Sequence, residues 1–268
     1  MSPGSSSQRE VPLHSVREYE PKRHSHCVAV FVLNEGQRFL EQLEGMLSLS
    51  GEIDILVADG GSTDGCVNDL LLQSRGVRTL LIKTGSGRLG AQMRMAFAYA
   101  LDQGYEGVVT MDGNNKDDPG AIPAFVAALK RGSDHVQGSR FIADGRAVRT
   151  PLLRYLAVRL IHAPLISLAA GSRQTDTTNG FRAYSRRLLL DPRVAPFRDV
   201  FSGYELHYYL AIRAARLGYN LEEIPVIRSY PGKGSTPTKI SPIRGKLLIL
   251  KNLLDACCHR FDPPKRHG

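Results

Sequence analysis

The chain has 268 residues, 42% of them hydrophobic, which is enough for one large α/β domain with a sizeable core. No run of about 18 uninterrupted apolar residues is present, and the first residues lack the apolar segment of a secretion signal, so neither a membrane-spanning helix nor export is expected. The four cysteines show no metal-ligand spacing. We therefore expect reduced thiols in a cytoplasmic protein.

The net charge of +9 is unevenly placed, since residues 231–268 contain eight lysines or arginines against two aspartates. This bias favours anionic partners, which include phosphate groups, an acidic membrane surface and nucleic acid. A solvated basic tail is the alternative interpretation.

Four repeats of strand, turn and helix precede residue 131. Short apolar or β-branched runs predict buried strands at residues 28–33, 53–58, 79–83 and 108–111, and a turn and a helical pattern follow each run. This alternation predicts an α/β fold with a mostly parallel central sheet flanked by helices. Residues 1–24 lack a hydrophobic period and are predicted to form a flexible arm.

Polar side chains are densest directly after the fourth predicted strand, where residues 108–119 read VVTMDGNNKDDP. The strand carries Asp112 to the edge at which ligands bind in open α/β sheets, because helix N-termini point their free N–H groups outward there. Carboxylate and amide oxygens at this density indicate a site for a cation or a phosphate group. The alternative is a polar loop in which Asp118 caps the helix that starts near Pro119.

Glycine-rich turns follow the second and third predicted strands. Asp59 stands where the second strand meets a pair of glycines, which let a backbone turn tightly beside a ligand. Residues 85–90 read GSGRLG, formally a dinucleotide-binding fingerprint, with Asp112 about 20 residues further on. That fingerprint follows the first strand of its sheet, whereas two complete strand–helix units precede it here. A glycine-rich helix start is therefore favoured over a nicotinamide or flavin site.

Several segments, in their order and spacing, resemble family 2 glycosyltransferases of the GT-A fold, and more closely the branch that transfers sugars to dolichyl or polyprenyl phosphate. The segments are residues 32–35 (VLNE), 58–65 (ADGGSTDG), 111–114 (MDGN) with Asp118-Pro119, 138–140 (GSR), Asp176 with 179–182 (NGFR), and 218–219 (GY) with 224–226 (IPV). The resemblance covers about residues 27–254. It implies a GT-A glycosyltransferase domain at residues 25–240, with a Rossmann-like nucleotide-binding half and an acceptor half, followed by an amphipathic C-terminal helix and basic tail at residues 241–268.

The resemblance implies a donor site at the carboxyl ends of the first strands. Asp59 matches the acid that accepts hydrogen bonds from the nucleobase. Asp112 matches the first acid of the D-x-D motif, which holds Mg²⁺ or Mn²⁺ against the donor diphosphate. The other donor-binding residues implied are Asn34 and Glu35 around the base and ribose, Arg88 near the base or diphosphate, Gly113 and Asn114 beside Asp112, and Lys233 in a loop that closes on the diphosphate.

Three positions depart from the family pattern. Asn114 replaces the second acid of D-x-D, which keeps an oxygen ligand but removes a charge, so the affinity for Mg²⁺ or Mn²⁺ should fall. Lys116 replaces a later polar ligand, and Gly60 replaces a second donor-site aspartate. Two interpretations stay open. Either Asp112 and Asn114 form a weak metal site, with Asp117 compensating, or Lys116 steadies the leaving diphosphate without a metal.

The acceptor half contains the remaining candidate residues. The resemblance places Arg140 near the acceptor phosphate, which a guanidinium can grip through two oxygens, and a surface salt bridge is the alternative. Arg182 is a second acceptor-binding candidate. Asp176 and Glu205 are candidate catalytic acids: a hydroxyl acceptor would need a carboxylate as base, whereas a lipid phosphate is already ionised. Helix capping is the alternative role for Glu205.

Two apolar helices complete the interpretation. Residues 152–170 contain two arginines, a histidine and a proline, so we expect them to be too interrupted to span a bilayer; either a lipid tail lies along this helix or it is an ordinary core helix. Residues 228–235 predict a flexible basic loop. Residues 243–258 predict an amphipathic helix that rests on an anionic membrane face or docks on the domain.

The combined prediction is an inverting glycosyltransferase that moves a sugar from a nucleotide-diphosphate donor to a polyprenyl phosphate. A soluble natural-product acceptor with a hydroxyl group and a non-catalytic sugar-nucleotide binder remain the alternatives. The expected location is the cytoplasm, peripheral at the membrane face, and no nucleic acid partner is expected. A nucleotidylyltransferase is disfavoured because its glycine-rich loop with arginine and lysine is absent around Asn34.

Overall fold

The computed structural model describes residues 9–232 and 244–264, so the expectations for residues 1–8 and for Lys233 lie outside the described part of the chain. The described strands are β1 (His14–Glu18), β2 (His26–Val32), β3 (Asp54–Asp59), β4 (Val77–Lys83), β5 (Gly107–Asp112), β6 (His135–Ser139), β7 (Arg146–Val148), β8 (Arg182–Ser185), β9 (Leu221–Pro225) and β10 (Ile227–Ser229). The described α-helices are α1 (Gln37–Glu44), α2 (Asp69–Gln73), α3 (Leu89–Asp102), α4 (Ile122–Lys130), α5 (Leu152–Ala157), α6 (Ala163–Ala170), α7 (Arg186–Leu190), α8 (Glu205–Arg216) and α9 (Arg244–Cys257).

The central sheet confirms the predicted α/β architecture. Within the described residues its eight strands lie in the order β1-β4-β3-β2-β5-β8-β6-β9. The inner strands β4, β3, β2 and β5 are parallel, as the four strand–helix repeats predict, and β8 then runs antiparallel to both β5 and β6. Because the inner strands are parallel, their carboxyl ends meet at one edge of the sheet.

Both faces of the sheet are covered, which explains why the inner strands are apolar without a break. Along β2, the side chains of Val28, Val30 and Val32 join one hydrophobic cluster, and those of Cys27, Ala29 and Phe31 join another on the opposite face. This alternation follows from the two-residue repeat of a strand. The first cluster includes residues of α1 and α4, and the second includes residues of α3 and α8.

The expected flexible arm is corrected for residues 9–24. His14–Glu18 forms β1, which pairs antiparallel with β4 and covers that edge of the sheet, although its side chains are all exposed. The guanidinium of Arg17 and the hydroxyl of Tyr19 both bind the carboxylate of Asp69. Backbone hydrogen bonds to β4 hold this strand in place, so it needs no buried apolar side chains. Its sequence therefore has no hydrophobic period that would predict a strand.

A second correction concerns the segment after β9. Residues 228–235 were predicted to be a flexible loop, but Ile227–Ser229 forms β10, which pairs in parallel with β7 in a separate two-stranded sheet. Asp117 also forms an isolated antiparallel bridge with Arg228. These contacts bring the segment after β5 against the end of the acceptor half.

The apolar stretch at residues 152–170 forms one continuous helical segment, in which a π-helical turn at Val158–His162 joins α5 to α6. With 19 residues and a mean hydropathy of 1.4, it has the length and composition of a candidate membrane span, a test that core helices of soluble proteins also pass, so the expectation that it does not span a bilayer stays a prediction. Leu153 and Leu168 are 79% and 82% exposed. The last helix, α9, matches its predicted bounds and packs against α6 and α8 through Leu253 and Ala256.

Candidate active site

The carboxyl ends of β2 and β3 form the first part of the site. The buried carboxylate of Asp59 accepts hydrogen bonds from the N–H groups of Gly61 and Ser62 and from the Ser62 hydroxyl at 2.6 Å. The side-chain oxygen of Asn34 accepts the N–H of Thr63 at 2.7 Å, so it joins the loop after β2 to the loop after β3. Asp59 therefore fixes the shape of the loop in which a nucleobase is expected to bind.

A tyrosine lies among the other predicted donor residues. Burial and the charges of Asp112 and Glu35 raise the pKa of the Tyr204 hydroxyl. The charges of Arg154 and Arg88 lower it by less, so the net shift is upward. The hydroxyl of Tyr204, just before α8, is thus within electrostatic range of charges from the loop after β2, the start of α3 and the end of β5. Arg88 itself is exposed, whereas Glu35 is half-buried and pairs with Arg38.

The structure gives a packing reason for glycine at position 60. A Cβ atom there would lie 3.0 Å from Nε2 of Gln92, which donates hydrogen bonds to the carbonyl oxygens of Val32 and Ala58, each at 3.0 Å. The Gln92 amide therefore bridges the ends of β2 and β3 from α3. It occupies space that a second aspartate side chain at position 60 would need.

The glycine-rich helix start is also explained by packing. A Cβ atom on Gly90 would lie 2.7 and 2.8 Å from the carbonyl oxygens of Gly203 and Phe201, and the N–H of Arg88 donates to the carbonyl of Ser202. Residues 85–90 thus bring the N-terminus of α3 against the loop before α8. This contact, rather than a dinucleotide, accounts for the third glycine.

Asp112 ends β5 in a tightly packed turn. A Cβ atom on Gly113 would lie 2.9 Å from the Val32 side chain, and one on Gly180 would lie 3.0 Å from the Asp112 carboxylate. The side-chain amide of Asn114 donates to Oδ2 of Asp112 at 3.4 Å, and its Oδ1 is buried without a hydrogen-bond partner. Two side-chain oxygens from this turn are therefore available beside each other.

Arg228 is the central cation of the site. Its Nη2 lies 3.0 Å from Oδ2 of Asp112, while Nη1 binds Asp117 and also donates to Oδ1 of Asn179 at 3.1 Å. Burial raises the pKa of Asp112, but the charge and hydrogen bond of Arg228, together with the charges of His207 and Lys116, outweigh burial, so the net shift is downward. The pKa of the fully buried Asp117 is instead raised, because its burial outweighs the attraction of Arg228.

Tyr230 and three further cations form the wall next to Arg228. Arg154 donates to the Tyr230 hydroxyl at 2.9 Å, and Arg149 donates to the Tyr230 carbonyl at 2.7 Å. The ammonium of Lys116 lies 5.3 Å from the centre of the tyrosine ring. Burial and the nearby charge of Arg228 lower the pKa of Lys116.

Arg140 and Asp176 form a buried, two-point ion pair on the acceptor side. Nε and Nη2 of Arg140 lie 2.6 and 2.8 Å from the two carboxylate oxygens, and Asp176 is fully buried. Nη2 also donates to the hydroxyl of Thr178, so Nη1 is the guanidinium nitrogen of Arg140 without a hydrogen bond among the described residues. This corrects the expectation of Asp176 as a base, because its carboxylate is committed to holding Arg140.

Two further predictions are corrected. Arg182 is fully buried, and its guanidinium donates to the carbonyl oxygens of Thr177, Asn179 and His207 at 2.7 to 2.9 Å, so it organises the backbone and cannot reach an acceptor. The buried Glu205 accepts hydrogen bonds from the N–H of Gly203 and from Asn252. The alternative of a structural role at the start of α8 therefore fits Glu205 better than a catalytic one.

Divalent cations of the Mg²⁺ and Mn²⁺ type bind through one or two protein oxygens completed by substrate phosphates. Asp112 and the unpartnered Oδ1 of Asn114 fit such a weak site. Among residues 9–232 and 244–264, no three histidine, cysteine or acidic side chains converge to form a closed metal site. The protein oxygens alone are therefore too few to hold the metal without a substrate.

Three residues of this site, Arg154, Arg228 and Tyr230, have no role in the sequence analysis, and Asp117 has only that of a compensating acid. In the structure, buried Val226, Arg228 and Tyr230 alternate with partly exposed residues, which is the two-residue repeat of a strand. The sequence does not show this repeat, because the buried Arg228 is charged and the partly exposed Ile227 is apolar.

Comparisons with known proteins identify the family and the fold of the chain. The glycosyl transferase family 2 domain matches residues 27–191. The undecaprenyl-phosphate mannosyltransferase of Micrococcus luteus is 30% identical over 65% of this chain and 71% of its own length, and the dolichyl-phosphate hexose transferase of Haloferax volcanii is 33% identical over 56% and 60%. Glucosyl-3-phosphoglycerate synthase from Mycobacterium tuberculosis, solved with Mn²⁺, uridine diphosphate and phosphoglyceric acid, superposes with a TM-score of 0.61 at 20% identity, over 87% of this chain and 78% of the other.

The mixed sheet, with its parallel inner strands and flanking helices, has the fold of GT-A glycosyltransferases. The chain belongs to glycosyl transferase family 2, and it is an enzyme of the glycosyltransferase class.

Proposed function

We propose that the protein is an inverting glycosyltransferase that transfers a sugar from a nucleotide-diphosphate donor to a polyprenyl phosphate. In this reaction a phosphate oxygen of the acceptor attacks the anomeric carbon, and the bond to the donor diphosphate breaks as the nucleoside diphosphate leaves. The names of the Micrococcus and Haloferax relatives support this acceptor class. The proposed catalytic domain spans residues 25–240, followed by the C-terminal helix and basic tail.

The observation that carries the acceptor assignment is the buried ion pair of Asp176 with Arg140. A hydroxyl acceptor needs a carboxylate free to take its proton, whereas a phosphate oxygen is already ionised. Asp176 and Glu205, the two candidate bases, are both buried and hydrogen-bonded. The cations Arg140, Arg154 and Arg228 instead favour an anionic acceptor.

On the donor side, the nucleotide is expected against the loops of Asn34, Glu35, Asp59 and Arg88, and its diphosphate beside residues 112–114. Asp112 and Asn114 would hold Mg²⁺ or Mn²⁺, which when bound neutralises negative charge on the leaving diphosphate. Arg228 holds Asp112 in a fixed position and adds positive charge next to it.

The apolar helical segment supports a peripheral position at a membrane. Its exposed leucines are Leu152, Leu153, Leu156, Leu160 and Leu168, and the exposed arginines Arg159 and Arg173 lie within and just after the segment. Apolar side chains flanked by cations suit the interface of an anionic bilayer, where a polyprenyl tail is anchored. Because Arg154 of this segment contacts Tyr230, the surface begins at the acceptor site.

The proposal is tested with a panel of UDP-, GDP- and dTDP-sugars, each with and without Mn²⁺. We expect one sugar nucleotide to raise the melting temperature, since a ligand that binds only the folded form stabilises it, and Asp59→Ala to abolish the effect. The same donor is then incubated with undecaprenyl phosphate or with undecaprenol. Glycosylation of the phosphate and not of the alcohol is expected; transfer to the alcohol, or no donor binding at all, would contradict the proposal.

A further inference from the structure

Lys116 is a nearly buried cation without a polar partner. The residue is only 7% exposed, and within the described residues its ammonium makes neither a hydrogen bond nor an ion pair. The ammonium instead makes a cation–π contact with the face of the Tyr230 ring. The side chain is thus held almost entirely inside the protein while the three N–H donors of its ammonium stay free of acceptors in the described part of the chain, so they are available to a ligand that enters the site.

The neighbouring carboxylates cannot supply this partner. Asp112 and Asp117 are both paired with Arg228. Arg154, on the other side of Tyr230, is a further cation. With the ammonium itself counted, three cations stand against two carboxylates in this cluster, so the missing partner is an anion.

The backbone holds Lys116 in a defined position. Its carbonyl oxygen accepts the N–H of Ser229 at 2.7 Å, and the N–H of Asp118 donates to the carbonyl of Ile227 at 3.1 Å. The lysine is thus fixed against β10, four residues after Asp112 in the same turn. It is a built part of the site rather than a mobile surface lysine.

We propose that Lys116 binds a phosphoryl oxygen of a substrate, an inference that rests on the proposed function. A lysine ammonium binds phosphate as a compact point charge with three donors. The phosphate comes from the donor diphosphate or from the acceptor, since Lys116 follows Asp112 by four residues and contacts Tyr230, which Arg154 also contacts. In either case a fixed cation supplies part of the positive charge that a divalent metal otherwise provides.

The test compares the wild type with Lys116→Met, which removes the charge and nearly keeps the volume, and with Lys130→Gln as a control at the exposed end of α4. Affinities for UDP, GDP and farnesyl phosphate are measured by calorimetry in EDTA, together with melting temperatures. We expect Lys116→Met to weaken at least one probe by about tenfold or more. We also expect it to melt no lower than the wild type, because a buried charge is gone.

The nucleoside diphosphates and farnesyl phosphate distinguish the two sources of the bound phosphate. Weaker binding of a nucleoside diphosphate alone assigns Lys116 to the donor, weaker binding of farnesyl phosphate alone assigns it to the acceptor, and both losses indicate a shared role. Unchanged affinity for every probe that the wild type binds would overturn the inference while leaving the proposed function intact. A wild type that binds none of the probes, either in EDTA or with Mn²⁺, would overturn both. If Lys116→Met melts lower, Lys116→Gln measured well below its melting temperature must show the same loss.

Discussion

Nη2 of Arg228 lies 3.0 Å from Oδ2 of Asp112, although the two residues are 116 positions apart in the chain. The pair connects β10 at the end of the acceptor half with the turn after β5 in the donor half. Asp117, bound by the same guanidinium, completes a network of one cation between two carboxylates. The charge state of the donor site is therefore coupled to a residue on the acceptor side.

Asp112→Asn is expected to lower turnover by about 100-fold or more, because it removes the charge that holds a metal against the diphosphate. The fold should persist, since the Asp112 side chain is 26% exposed and Arg228 keeps Asp117 as a partner. Steady-state kinetics and thermal melting check both parts. Asp118→Asn is the control, because asparagine also caps a helix start. Unchanged turnover in Asp112→Asn would remove Asp112 from the mechanism.

Arg228→Met is expected to lower the free energy of unfolding by about 3–5 kcal/mol, because it leaves the fully buried Asp117 without its counterion. The double variant Arg228→Met with Asp117→Leu should recover much of this loss, since neither charge then remains buried. Urea denaturation of the wild type, both single variants and the double variant measures the coupling. Additive losses would show that the pair is not what Arg228 contributes to stability.

Arg182→Lys and Arg140→Lys distinguish an arginine that holds the backbone from the one proposed to bind the acceptor. Arg182→Lys is expected to cost about 2 kcal/mol of stability, because lysine cannot reach three backbone carbonyls at once, and to leave the acceptor KM unchanged. Arg140→Lys is expected to raise the acceptor KM. Urea unfolding and acceptor titrations give the two readouts, and a raised KM in Arg182→Lys would restore the original sequence prediction.

Stability should fall as the pH is lowered from 7 to 5. Burial, with the charge of Arg182, lowers the pKa of His135 to about 3 and that of His207 well below its usual range. The unfolded chain therefore binds more protons than the folded one below about pH 6.5. Between pH 7 and 5, His135 alone should lower the free energy of unfolding by about 2 kcal/mol. Urea unfolding at both pH values measures this difference. His135→Phe should reduce it, whereas His14→Gln, at an exposed position of β1, should not.

Replacing exposed leucines of the apolar helical segment should weaken membrane binding. We expect Leu153→Gln with Leu168→Gln to reduce partitioning onto anionic phospholipid vesicles by about tenfold or more, because two large apolar side chains no longer enter the interface. Sedimentation with vesicles measures the bound fraction. Leu70→Gln, at an equally exposed leucine on α2, is the matched control. Equal loss in the control variant would argue against a role for this helical segment.

The sequence predicted those features that are encoded locally. The continuous apolar run of residues 28–33 predicts a strand that contributes to both hydrophobic clusters, and the periodicity of residues 243–258 predicts α9 to within a residue. Asp118 caps the helical turn after it through the N–H of Gly120, as its position before a proline predicts. Each of these features depends on residues within a few positions of one another.

The features that the sequence did not predict depend on ion-pair partners that are distant in the chain. Asp176 looks like an available acid in its own segment, and the guanidinium that occupies it lies 36 positions earlier. Arg228 follows a strand and precedes glycines, so its segment resembles a loop until its bonds to Asp112 and Asp117 are known. Charged residues have no pattern that announces their partner, and burial decides whether such a residue is a ligand-binding group or a structural one.

The pairing of β1 with β4 replaces a buried apolar strand at this edge with a short strand that includes the charged Arg17 and Glu18, and charged side chains on an edge strand disfavour pairing with another chain. Without residues 9–24, β4 would present a row of unsatisfied N–H and C=O groups, flanked by the apolar side chains of Leu80 and Leu81, to any other chain in solution. A shortened protein that starts at β2 would thus expose an aggregation-prone sheet edge, and we expect it to precipitate during purification.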